Sequence, residues 1–265
     1  MAPSAAVQRR NVPPATGSAQ AVSAGKRSDE ATTATRQHQR ISAAALVWLA
    51  LTCVPTLLGM LLHDPAGRPK SEVLTELDRV FRHYGTLLPL APFALRFGAY
   101  VSLPVQLQDA AGVRQPGAEL LLHLLVLMAR WLVYILHIMG QKLHVWQAVF
   151  GEGQSHLFAD HVLLGIAVQA SFAVEMAAAG HMWRTVSAAR RASKPAQQCS
   201  KTRGLLACAS ALGFCCSMLV SVDTLVTARY FHDAREVLSA VLLGLLLFGA
   251  LAGMSLHDWT GLAWK

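Results

Sequence analysis

The sequence predicts an all-α, polytopic membrane protein, a bundle of six transmembrane helices with a disordered N-terminal tail. Three observations carry that expectation. Of the 265 residues, 54% are hydrophobic and only 14% are charged, where soluble domains carry about 25% charged residues. The charges that exist are clustered. Between the clusters lie apolar runs close to the ~20 residues that cross a bilayer as a helix.

Taken in order, residues 1–40 are rich in Ala, Ser, Thr, Gln and Arg and poor in core-forming side chains, which reads as a disordered basic tail. The membrane domain is expected over 41–256, with a short C-terminal tail at 257–265. Its spans are expected at 41–62, 84–105, 118–140, 157–180, 205–226 and 237–256. Pro55 predicts a kink in the first. Pro89, Pro92 and Arg96 make the second the least regular. Gly249 and Gly253 give the sixth the small-xxx-small spacing that lets helices approach closely.

The net charge of +8 serves as a topology signal in such a chain, and no motif suggests nucleic acid. The tail (Arg9, Arg10, Lys26, Arg27, Arg36, Arg40) and the 181–204 loop (Arg184, Arg190, Arg191, Lys194, Lys201, Arg203) hold most of the Lys and Arg. The positive-inside rule then predicts both termini in the cytosol. The five cysteines, Cys53, Cys199, Cys208, Cys215 and Cys216, form no CxxC and read as small apolar packers.

Between the first two spans, "SEVLTELDRVFRHYG" predicts a short helix at the membrane interface. Ser71 is placed to cap it. Val73, Leu74, Leu77, Val80 and Phe81 are expected on one face. A plain spacer helix fits the same pattern.

The predicted topology puts the 141–156 loop and the 227–236 segment on one side of the membrane. His156, Asp160 and His161 fall where the fourth span begins, and His232 and Glu236 where the sixth begins. Residues four apart share a helix face, so Glu236 can orient His232, fix its tautomer and raise its basicity. His161 can serve as a general acid. Both histidines sit at helix N-termini, which favour anions. An anionic ligand at a membrane surface suggests a phosphate head group.

At this point the residues resemble the type-2 phosphatidic acid phosphatase (lipid phosphate phosphatase) superfamily. His232, Glu236 and Val237 before a final span are similar to its third motif. Phe158-Ala159-Asp160-His161 stands where its second motif opens the fourth span, and Lys142 where its first motif starts. The chain departs from the pattern in three places. Val149-Phe150 replaces the first motif's Arg-Pro, Ala159-Asp160 replaces Ser-Gly, and Arg229 lies three residues before the histidine instead of six. The resemblance implies a divergent or degenerate member that needs no cofactor. His232 would be the nucleophile, Glu236 its orienter and His161 the general acid. Lys142 and Arg229 would bind phosphate, and the substrate would be a lipid phosphate or diphosphate at the non-cytosolic face.

Other readings stay open. Arg130, Glu175 and Asp223 are ionisable residues within apolar runs, and Arg130 is expected to pair with Asp223 or Glu175. His123 and His137 lie fourteen apart on the third span, a spacing that resembles the haem-ligand pairs of membrane b-type cytochromes, but His161 and His181 of the fourth span do not match it, which leaves one haem between His137 and His161. His156, Asp160, His161, His232 and Asp233 are a ligand set that suits zinc. A non-catalytic multi-spanning protein, structural or transport-related, is the alternative to an enzyme.

Overall fold

The computed structural model describes residues 46–64, 71–105, 108, 116–151, 157–192, 196–249 and 253. Both expected tails, His156 and the start of the first expected span lie outside these residues. All regular elements among the described residues are helical. They are α1 (Leu46–Leu61), α2 (Glu72–Tyr84), a 3-10 turn (Gly85–Leu87), α3 (Leu90–Val101), α4 (Pro116–Lys142), α5 (Val145–Phe150), α6 (Asp160–Ala192), α7 (Ala196–Tyr230) and α8 (Ala234–Gly244). A π-helical turn (Leu245–Gly249) continues α8.

Among the described residues, three helices are long and apolar enough to cross a membrane, within α4, α6 and α7. The second expected span is not one helix. Pro89 lacks an amide hydrogen, and the chain resolves into the 3-10 turn followed by the 12-residue α3. Pro55, by contrast, lies within the helical run of α1.

The central element is α6. It is apolar on every side, and the other helices pack around it, so 89% of its apolar window is buried. The corresponding stretch of α4 is only 22% buried. Leu121, Leu125, Met128, Leu132, Ile135 and Met139 are all exposed on α4, an apolar surface far too continuous for water. Exposed apolar helices around a buried apolar one mark a membrane-embedded protein.

Small residues let the helices close on α6. A Cβ at Gly165 would collide with Thr224 of α7, and one at Gly244 with Ile166. Gly249 lies against Trp48 of α1, whereas Gly253 meets nothing, so only the first member of the expected small-xxx-small pair packs. One core group joins α1, α4, α6 and α8 through Trp48, Val126, Ile166, Val241 and Phe248. A second, through Ala99, Met182 and Leu206, closes the opposite end of α6 against α3 and α7.

The expected helix after α1 is present as α2, but it packs differently from its apolar pattern. Phe81 and Asp78 are buried, while Val73 and Val80 are exposed. Phe81 enters a core group with Leu164, Phe172 and Val220. Ser71 stands at the cap position with extended backbone, but its hydroxyl makes no cap hydrogen bond. Its carbonyl instead accepts from the Thr75 amide and hydroxyl.

Candidate functional site

The site forms where α7 ends and α6 and α8 begin. After Tyr230 the chain turns through 231–233, and Asp233 caps α8 by accepting a hydrogen bond from the Glu236 amide at 2.8 Å. Asp-x-x-Glu at a helix start ordinarily turns the glutamate back toward the cap residue's own amide. Here Glu236 reaches one residue further, and its Oε2 lies 2.7 Å from His232 Nδ1. The expected pairing is therefore present, and the cap explains why the carboxylate points that way.

The start of α6 is tied to the same place. The Ala159 amide donates to the Glu236 carbonyl at 3.1 Å. Asp160 and His161 follow, with His161 Nδ1 3.0 Å from Asp160 Oδ1. The rings of His161 and His232 then stand 6.4 Å apart, centre to centre. Each imidazole has a carboxylate on Nδ1. A carboxylate only accepts, so each Nδ1 carries the hydrogen and each neutral ring has its lone pair on Nε2. All four residues are partly buried.

Asp160 also meets Arg130 of α4, whose Nη2 lies 3.7 Å from Oδ2. This corrects the expected Arg130 partners. Glu175 is taken by Arg96 of α3, which holds it through two hydrogen bonds of 2.7 and 3.1 Å. The physical reason is depth. α4 runs antiparallel to α6, so Arg130 reaches the start of α6, while His123, two turns earlier, reaches Glu175 at 2.6 Å. The Arg130 guanidinium also lies over the rings of Trp131 and Tyr134.

Asp223 is 1% exposed, and neither carboxylate oxygen has a hydrogen-bond partner among the described residues. The titratable groups near it are Asp78, His161 and Arg82. Asp78 pairs with Arg82 at 2.9 Å through one oxygen, and its other oxygen is buried without a hydrogen-bond partner among the described residues. Two further carboxyl side chains, Asp78 and Asp223, thus lie near His161.

The two expected phosphate ligands are less integrated. Lys142 is the last residue of α4, exposed, and makes no ion pair among the described residues. Arg229 lies over the Tyr230 ring, with Nε buried and without a hydrogen-bond partner among the described residues. Its carbonyl accepts from the Asp64 amide at 3.0 Å, which ties the end of α1 to the end of α7.

Of the zinc-type set, Asp160, His161 and His232 bring one donor atom each within 4.8 Å of one another, close enough to share a metal ion. Asp233 is used as the α8 cap. The His137 ring lies tilted against Phe158, 4.4 Å centre to centre, and pairs with Gln141. Arg130 and Asp160 were visible in the sequence as charges in or beside apolar runs, but only the helix register shows that they meet. No protein-family model, curated protein or solved structure matches this chain.

Proposed function

We propose that this chain is an integral membrane, histidine-dependent lipid phosphate or diphosphate phosphatase. It would cross the membrane six times with both termini cytosolic, and its site would lie at the non-cytosolic face. The carrying observation is the opposed pair of carboxylate-bound histidines, His232–Glu236 and His161–Asp160, at the starts of two helices. His232 attacks phosphorus through Nε2 while Glu236 takes the developing positive charge of the ring. In its doubly protonated form His161 gives its Nε2 proton to the leaving oxygen, and the neutral ring then takes a proton from the water that attacks the phosphohistidine, which releases phosphate and restores His232. The N-termini of α6 and α8 and the Arg130 guanidinium favour the phosphate charge. Lys142 and Arg229 would complete phosphate binding as the head group approaches. In this reading α1, α3 and α8 are shorter spans completed by the apolar residues next to them.

The closeness of Asp160, His161 and His232 favours a second reading, a metal-dependent hydrolase built on those three donors. Phosphate release by purified protein in the presence of a chelator separates the two. Cysteine labelling from each side of sealed vesicles tests the six-span topology.

A further inference from the structure

The chain turns a sharp corner between α4 and α5. Lys142 ends α4, and the Leu143 amide still donates to the Met139 carbonyl at 2.9 Å. His144 then takes φ 55° and ψ 22°, the left-handed region that few residues other than glycine enter. The next residue already begins α5.

The corner is braced from its inner side. Trp146 Nε1 donates to the His137 carbonyl at 3.0 Å, and the Trp146 ring lies so close to Gly140 that a Cβ there would collide with it. The His137 ring stacks beside Trp146 at 6.3 Å and lies against Phe158, which is buried. Phe158 stands two residues before Asp160. The short helix is thereby tied to the segment that opens the candidate site.

With Trp146 turned inward, the outer side of α5 is apolar and open. Val145 is 39% and Val149 63% exposed; four residues apart, they share a face. Gln147 falls on the opposite face. Leu143, 68% exposed, leads into this surface from α4. Leu132, Leu136, Met139 and Leu143 are all exposed, and their spacing of four, three and four puts them on one stripe. The apolar stripe of α4 therefore runs on through the corner into α5. Lys142 and His144, both exposed, flank the turn.

We propose that α5 lies in the head-group layer of the leaflet where α4 emerges, with Leu143, Val145 and Val149 in the upper acyl region and the Lys142 ammonium at the lipid phosphates. Continuity with the lipid-facing stripe of α4 selects a bilayer as the occupant of this face. Exposure to water would strand three large apolar side chains one turn beyond the hydrocarbon. A lysine stem can follow such a surface while its charge stays in the polar layer, and an amphipathic helix with its apolar face down is the form that settles there. The inference does not depend on the phosphatase reading.

The test uses the purified full chain in phosphatidylcholine nanodiscs at one copy per disc. Val149→Cys and Gln147→Cys, on opposite faces of α5, are made separately. Their reaction with a water-soluble maleimide is timed by peptide mass spectrometry, which reads them apart from the native cysteines. Val149→Cys is expected to react about tenfold more slowly than Gln147→Cys, as for a side chain ~5–10 Å below the head-group boundary. The wild-type chain is read in parallel with phosphatidylcholine that carries a diazirine either at its head group or at the end of an acyl chain. The head-group probe is expected to label 143–149, and the chain-end probe the middle of α4 around Met128. Equal maleimide rates at the two positions, or stronger label on 143–149 from the chain-end probe than from the head-group probe, overturns the proposal. Slow reaction of Val149→Cys that appears only with two copies per disc would assign the face to a second copy of the chain and overturns it as well. The wild-type map decides the question even if a variant does not fold.

Discussion

The amide of Ala159 donates to the carbonyl oxygen of Glu236 at 3.1 Å. This one backbone bond joins the start of α6 to the start of α8, and so places Asp160–His161 opposite His232–Glu236. The two halves of the site are far apart in sequence and are held in register by main chain, which no side-chain substitution removes directly. Point variants in the site are therefore expected to change chemistry more than architecture.

Glu236→Gln tests the orienting carboxylate. The amide is nearly the same shape, but it cannot stabilise a positively charged His232 ring. Phosphate release is expected to fall by about 10²- to 10⁴-fold, the range of a positioned acid–base contribution, with little change in thermal midpoint. Equal activity in the variant would remove Glu236 from the mechanism.

Asp233→Ala removes the α8 cap. The loss is expected to be about 1 kcal/mol of stability, together with reduced activity because Glu236 loses the amide contact that directs it. Asp233→Asn, which can still accept from the Glu236 amide, is expected to restore most of both. Thermal melting in detergent and phosphate release, measured side by side, check this.

Arg96→Leu leaves Glu175 buried without its strongest partner. Breaking one member of such a pair is expected to cost about 3–5 kcal/mol, seen as lost folded yield and a lowered melting midpoint. Arg96→Leu combined with Glu175→Leu is expected to recover part of that loss. Failure of the double variant to improve on the single one would mean that His123, deprived of Glu175, carries the penalty instead.

Gly165→Val places a branched side chain against Thr224 at the α6–α7 contact, where even a Cβ collides. Overpacking of this kind is expected to cost about 1–3 kcal/mol. Gly98→Ala, where a Cβ meets nothing within 4 Å, is the control and is expected to leave the melting midpoint at least as high as wild type.

Much of the fold was legible in the sequence because membrane helices are written in composition. The runs that became α4, α6 and α7 needed only length and hydropathy. The 84–105 segment was harder, since Pro89 and Pro92 break regularity without stating where the helix resumes. The His232–Glu236 pair was legible because it is local, four residues apart, although His232 stands in the turn just before α8 and not on the helix itself. Arg130–Asp160 and Arg96–Glu175 were not, because they depend on which helices are neighbours and at what height. The sequence shows that Arg130, Glu175 and Asp223 are charged residues within apolar runs, and such charges seek partners. It does not show that Arg96 reaches Glu175 first, nor that Asp223 has no hydrogen-bond partner among the described residues. The outward turn of Val73 and Val80 on α2 likewise follows from Phe81 and Asp78 packing inward against other helices.

The most direct test of the account is phosphate release from a panel of lipid phosphates by the detergent-purified protein in EDTA, beside His232→Ala. The account predicts release that persists in the chelator and disappears in the variant. Release that requires a divalent cation would move the site to the Asp160–His161–His232 metal reading. No release from any substrate by folded protein would contradict the enzymatic account altogether.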